Sequence, residues 1–171
     1  GKFLARVTGK TRGNVILRDR QYTSSKDEKR SLEISKNCIS GKVYNARWVL
    51  ERAIRDHAMQ IDKERVKVAS LQLKTFLQYI QNAESKEQLR GYEGEAASIY
   101  FSVFDELILQ QKKDFSFHGR SKRPPMDNVN AMLSFGYSLL AGMCGGALEA
   151  VGLDPYVGFF HTDRPGRMSL R

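Results

Sequence analysis

The sequence is poor in cysteine, proline and tryptophan: two, four and one among 171 residues. Two cysteines, Cys38 and Cys144, cannot build a disulfide framework, and both sit in apolar runs. A reducing, cytoplasmic compartment is the simple expectation. There is no CxxC pair and no Cys/His cluster, so a zinc ribbon or finger is excluded. The N-terminal GKFLARV lacks the long apolar stretch of a secretory signal. No GxSxG elbow, Cys/His nucleophile arrangement or Walker loop occurs. Gly142-Met143-Cys144-Gly145-Gly146 falls in an apolar run with no Lys-Ser/Thr after it, so it is not a phosphate loop. There is no internal repeat and no low-complexity tract. An initiator methionine is missing and the chain stops abruptly at Leu170-Arg171, which reads as a cut from a longer protein.

Hydrophobic residues make up 41% and aromatics 10%, enough for a folded core. Lys and Arg number 28 against 19 Asp and Glu, a net charge of +9. The excess is concentrated in residues 1–40, with 10 basic and 4 acidic side chains. A smaller cluster holds Arg120, Lys122, Arg123, Arg164 and Arg167. A basic balance favours polyanions such as nucleic acid or anionic lipid, although a basic surface can also be merely soluble.

The pattern is mainly α, with a short strand at residues 2–8, a turn at 9–13, and a linker or helix entry at 21–30. Residues 1–20 read as the tail of a β-domain, and 31–171 as a helical domain. Leu32, Ile39, Val43, Ala46, Leu50, Ile54, His57 and Ile61 share a narrow wedge at helical spacing, which predicts one helix over about 30–61. Gly41 weakens that reading. A second stripe runs through Val66, Ala69, Leu73, Phe76, Leu77 and Ile80. Ser85-x-x-Gln88 is a capping box that starts a third helix, predicted to reach about Gln111. Pro124-Pro125 block a helix and Asp127 can cap the next, over about 128–151, with Gly152 beyond its end. Residues 131–148 are all uncharged, long enough for a membrane span. Ser134, Tyr137, Ser138 and four glycines dilute that stretch, and the mean hydropathy of the chain is −0.47. A core helix, buried within a soluble bundle, is therefore the favoured reading.

Glu93 is the most informative residue. It shares its helical face with Leu89, Ala96, Ala97, Tyr100, Phe104, Leu107 and Ile108, whereas Glu95 falls on the polar side. A carboxylate in an apolar stripe must neutralise, pair or bind a metal. A salt bridge to an arginine of another helix and a functional carboxylate both remain open from the wheel. His57 reads as a satisfied core histidine, and His118 as solvated. His161 ends the apolar VGFF run and opens the polar turn HTDRPGR. An imidazole beside Asp163, with Arg164 and Arg167 nearby in sequence, fits a divalent-metal and phosphate site edge. A turn shaped by Asp163 and Pro165-Gly166 accounts for the same residues equally well.

Four segments carry a resemblance. QLRGYEGEAASIYF (88–101), RSKRPPMDNVNAMLSFGYSLL (120–140) and AVGLDPYVGFFHTDRPGRMSL (150–170) resemble the CRISPR-associated spacer-acquisition integrase-endonuclease, the catalytic subunit of the adaptation complex. GKVYNARWVLERAIRDH (41–57) resembles that family's first long helix, and the wording is nearest the subtype I-C branch. The resemblance implies a metal-dependent phosphodiester transfer with Mg²⁺ or Mn²⁺. It places the family's metal-binding carboxylate of R-G-x-E-G on Glu93 and the histidine of G-F-x-H on His161. The family's third ligand is an aspartate a dozen or so residues further on, which is not among these 171 residues; Asp163 is too close to replace it. The site is therefore expected to be incomplete and the chain inactive or weak. Lys122, Arg123, Arg164 and Arg167 are the expected phosphate contacts. Implied partners are DNA (spacer precursor and repeat), a small ferredoxin-like second adaptation subunit and, through the N-terminal β-domain, a second copy. Two other classes compete: a non-catalytic helical DNA-binding or assembly module, and a membrane-associated protein built on 131–148.

Overall fold

The computed structural model describes residues 14–161 and 168–170. Residues 2–8 and 9–13, read as strand and turn, lie outside them, as do Asp163, Arg164 and Arg167. The described residues are mainly helical, with five α-helices and no strand. The helices are α1 (Val15–Lys26), α2 (Glu28–His57), α3 (Lys63–Gln81), α4 (Lys86–Ser102) and α5 (Asn128–Ala150). Residues 15–20, assigned above to the β-domain tail, thus form a helix. Asn14 starts it, its side chain accepting from the Leu17 N–H at 3.0 Å.

The chain divides into two compact units, residues 32–140 and residues 1–31 with 141–171. The larger unit is built on α2, α3 and α4. Its core is Ile39, Val43 and Leu50 of α2, Val66, Leu73 and Ile80 of α3, and Leu89 and Ala96 of α4, each at helical spacing. Gly41 is accommodated within α2 in open space. Toward its start, the buried face of α2 runs through Ser31 and Ser35, while Leu32 is only half-buried. His57, read as a core histidine, is half-buried at the end of the same helix.

α3 begins at Asp62, whose side chain accepts from the Arg65 N–H at 3.0 Å. α4 begins at Ser85, whose hydroxyl accepts from the Gln88 N–H at 3.2 Å. The Gln88 side chain reaches back to the Glu84 N–H at 2.9 Å, completing the predicted box one residue earlier than usual. α4 stops at Ser102, nine residues short of the expected Gln111. A 3-10 turn, Phe104–Leu107, follows. Polar partners draw the chain off the helix axis. Arg65 Nη2 donates to the Ser102 carbonyl at 2.7 Å, and Asp105 Oδ1 accepts from the Phe117 N–H at 2.7 Å. Asp62 N–H donates to Glu106 Oε2 at 3.1 Å.

α5 corrects the core-helix expectation. It is long and apolar enough to cross a membrane, yet only 6% of its most apolar window is buried. Met132, Phe135, Leu139, Leu140 and Met143 are all more than half exposed. A helix apolar on every face needs neighbours on every side, and the described residues supply them on one side only. Gly152 follows it at φ +88°, the left-handed conformation expected beyond a helix end.

Candidate functional site

Glu93 lies on α4 four residues after buried Leu89 and three before buried Ala96. Helical spacing therefore turns it toward the bundle, as the wheel requires. Its side chain remains 24% exposed, because it stands at the margin of the packed face. The ion pair, one of the two readings that the wheel leaves open, is present, but half-exposed and with lysine rather than arginine. Lys42 of α2 donates from Nζ to Glu93 Oε1 at 2.5 Å. No other hydrogen-bond partner of the carboxylate occurs among the described residues. Beside it, Tyr92 packs against Phe76 and Tyr79, with ring centroids 6.3 and 5.7 Å apart, and ties α4 to α3.

Glu93 is a hard oxygen donor of the type that suits a divalent ion, and the Lys42 ammonium sits on one of its oxygens. Among the described residues, no three His, Cys, Asp or Glu side chains gather as a metal-binding group.

His161 belongs to the smaller unit, in the irregular segment of turns and bends after α5. Gln21 of α1 holds the start of this segment by a reciprocal pair: its Nε2 donates to the Asp154 carbonyl and its Oε1 accepts from the Asp154 N–H, each at 2.8 Å. Tyr22 Oη donates to Asp154 Oδ2 at 2.8 Å, which raises the Tyr22 pKa above its usual value. Arg18 Nε donates to the Gly152 carbonyl at 3.2 Å, and Ser31 Oγ to the Phe159 carbonyl at 2.6 Å. Gly158 precedes the bend that carries the histidine, at a point where backbone approaches closely. A Cβ there would stand 2.7 Å from both the His161 carbonyl oxygen and Ser169 Cβ, so only glycine fits without movement. His161 itself is half-buried, its ring 5.2 Å from that of Phe160.

Lys122 and Arg123 are exposed, on the loop that enters α5. Asn130, fully buried, organises this loop. Its Nδ2 donates to the Gly119 carbonyl at 2.8 Å and to Asp127 Oδ2 at 2.6 Å. Its Oδ1 accepts from Arg120 Nη1 at 2.7 Å and the Ser121 N–H at 3.0 Å. Asp127 Oδ1 accepts from the Asn130 N–H at 2.7 Å. Hydrogen bonds from Asn130, the backbone one foremost, hold the Asp127 carboxyl below its ordinary pKa. Arg120 also lies 5.6 Å from the Tyr137 ring centroid, so this arginine is part of the scaffold rather than a free cation.

An apolar groove of about 600 Å³ adjoins the start of α5, lined by Phe104, Ile108, Phe115, Val129, Leu133 and Tyr137 among others. It carries no charged group. Lys42 and Asn130 escaped the sequence reading. Lys42 lies just off the apolar wedge of α2, and Asn130 looks like any polar residue in a first helical turn.

The family model described as CRISPR associated protein Cas1 matches residues 1–171. The CRISPR-associated endonuclease Cas1 1 of Chlorobaculum tepidum is 45% identical over 170 residues, covering 99% of this chain and 50% of that protein. The CRISPR-associated endonuclease Cas1 2 of Rhodospirillum rubrum is 50% identical over 174 residues, again 99% and 50%. The chain thus spans about half the length of these curated relatives. Among solved structures, a partial Cas6-RT-Cas1–Cas2 complex shares the fold with a TM-score of 0.78 at 24% identity, over 99% of this chain and 49% of that one. A casposase bound to integration product matches with a TM-score of 0.75 at 28% identity, over 92% of this chain and 44% of that one.

Proposed function

Because the chain belongs to the CRISPR-associated Cas1 family, we propose that it carries the catalytic helical region of a metal-dependent DNA endonuclease and integrase of CRISPR adaptation, nearest the I-C subtype. The observation that carries this reading is Glu93. The carboxylate of the R-G-x-E-G segment stands on the core-facing side of α4 with a cation on one oxygen.

Glu93 and His161 would hold Mg²⁺ or Mn²⁺, the carboxylate as a hard oxygen donor and the neutral imidazole as a nitrogen donor. Bound there, the metal supplies Lewis-acid polarisation of a phosphoryl oxygen and stabilises the charge that develops on it. Lys122, Arg123, Arg164 and Arg167 hold DNA phosphates, giving affinity without sequence reading. In this reading a DNA 3′-hydroxyl attacks a phosphodiester of the repeat, the new P–O bond replacing the one to the displaced repeat strand, which leaves as a hydroxyl; water in place of that hydroxyl gives cleavage. The partners in this reading are spacer-precursor and repeat DNA, a small ferredoxin-like second adaptation subunit and a second copy of the protein, all in the cytoplasm.

Mn²⁺-dependent cleavage of branched DNA tests this. The comparison is between this chain, a form extended through the expected aspartate, and Glu93→Ala in the extended form. Cleavage by the extended form that disappears in Glu93→Ala supports the reading. Cleavage indifferent to Glu93 in a folded protein refutes it and leaves a DNA-binding scaffold.

A further inference from the structure

The core face of α2 is Ile39, Val43, Leu50 and Ala53. On the opposite side of the same helix stand two large aromatics that packing does not use. Tyr44 and Trp48 lie one turn apart and are each 48% exposed. Their ring centroids are 6.0 Å apart with planes at 65°, an edge-to-face pair that fixes both rings while leaving half of each in water. Gly41, one turn earlier on that side, is exposed, and a Cβ there would meet nothing within 4 Å. A planar group could thus lie close to the helix backbone beside Tyr44.

Arg52 and Arg55 continue this face beyond Trp48, both exposed. Arg52 Nε lies 3.3 Å from Asp56 Oδ2, and Arg55 Nε lies 2.8 Å from Asp56 Oδ1. Two guanidinium groups share one carboxylate, so a positive charge is left over at this end. Glu51, at the edge of the face, is taken up by Arg47 and Ser70. The aromatic pair is therefore an island beside cations, with exposed Asn37 and Asn45 near it, rather than part of a broad apolar patch. Protein interfaces favour the patch; an unpaired nucleic-acid strand favours the island, because it offers base faces to stack and phosphates to hold.

We propose that Tyr44 and Trp48 form a stacking platform for an unpaired DNA strand, with Arg52 and Arg55 holding its phosphates. The proposal rests on the reading of DNA as the ligand and adds a preference that phosphate contacts alone do not give. A duplex keeps its bases stacked inside and has no free face for the platform.

Trp48 is the only tryptophan of the chain, so its emission reports on this face alone. The test titrates the 171-residue chain with oligothymidylate and with a blunt duplex, in EDTA. Trp48 emission and the anisotropy of labelled DNA are read together, and circular dichroism checks folding. Oligothymidylate should quench Trp48 saturably. Tyr44→Ala and Trp48→Ala should each weaken single-strand binding about five- to a hundredfold, as for one lost stacking contact, while duplex binding holds and Trp48→Phe keeps most of the affinity. Unmoved emission and unchanged single-strand affinity in both alanine variants, with duplex binding intact, overturn the platform and leave the DNA reading standing. Equal losses on single strand and duplex overturn the preference for unpaired strands. Emission that follows protein concentration rather than oligonucleotide overturns the proposal and assigns the face to a second copy. No binding of either DNA by the folded chain overturns the DNA reading and the proposal with it.

Discussion

At the residue scale, the two motif side chains have different surroundings. Glu93 is paired with the Lys42 ammonium of another helix; His161 lies beside the Phe160 ring, with its carbonyl close to Gly158. Gly158 is the tightest point in that second arrangement. Gly158→Ala would press a methyl group against the His161 carbonyl and Ser169, where backbone must give. The expected cost is about 1–3 kcal/mol, as for other overpacked sites. Thermal unfolding measures it, and an unchanged midpoint would show that the turn adapts freely. Tyr100 offers a second check. Burial, and to a lesser degree Tyr137, pushes its pKa from 10.0 up to about 12. A phenol with a raised folded pKa lends stability that is whole below pH 10 and is lost as pH climbs from 10 toward 12. Tyr100→Phe should flatten the fall in stability over that window. The core-facing placement of Glu93 was legible in the sequence because an apolar helical stripe makes a carboxylate conspicuous. Its partner was legible only as a type, a cation on another helix. Nothing in one sequence says that α2 lays Lys42, rather than an arginine elsewhere, beside it.

At the element scale, helices with a one-sided apolar stripe and a capping residue were readable, and α3 begins and ends close to its pattern. α4 was overextended. The periodicity continues through Phe104, Leu107 and Ile108, but Asp105, Glu106 and Ser102 find partners off the helix, and these long-range bonds are not encoded in local spacing. The loop before α5 was legible as a break because Pro124-Pro125 forbid a helix. Its internal order was not, since it depends on one buried asparagine ten or so residues from the groups it joins. Asn130→Ala should cost about 2–3 kcal/mol by leaving Arg120, Ser121 and Gly119 polar groups without their partner. It should also loosen the segment that bears Lys122 and Arg123, seen as faster amide exchange over 118–127. Asp127 adds a pH signature. Its carboxyl is held below the ordinary 3.8, so its contribution is present above that value and fades as pH falls through the lower folded value. Asp127→Asn should remove that part of the acid sensitivity.

At the scale of the whole molecule, charge and the apolar α5 face govern behaviour. A net +9 chain with exposed Lys122 and Arg123 should bind DNA with strong salt dependence. Replacing both by alanine should lower the slope of log affinity against log salt by about 2. An unchanged slope would remove them from the interface. The absence of charge along α5 was plain in the sequence, but whether other parts of the chain cover it is a matter of tertiary arrangement, and the described residues leave most of it exposed. Family membership was legible from four motifs, and the match over all 171 residues agrees with it. The central claim is that Glu93 serves DNA strand transfer, and the most direct measurement is joining. A labelled oligonucleotide with a free 3′-hydroxyl is incubated with repeat-containing DNA, Mn²⁺ and the protein extended through the expected aspartate. Glu93→Gln, Glu93→Ala and His161→Ala variants run in parallel. The account predicts a joined product with the natural residues and its loss, by a factor of about a hundred or more, in each variant. Joining that survives in folded Glu93→Gln and Glu93→Ala proteins would contradict it.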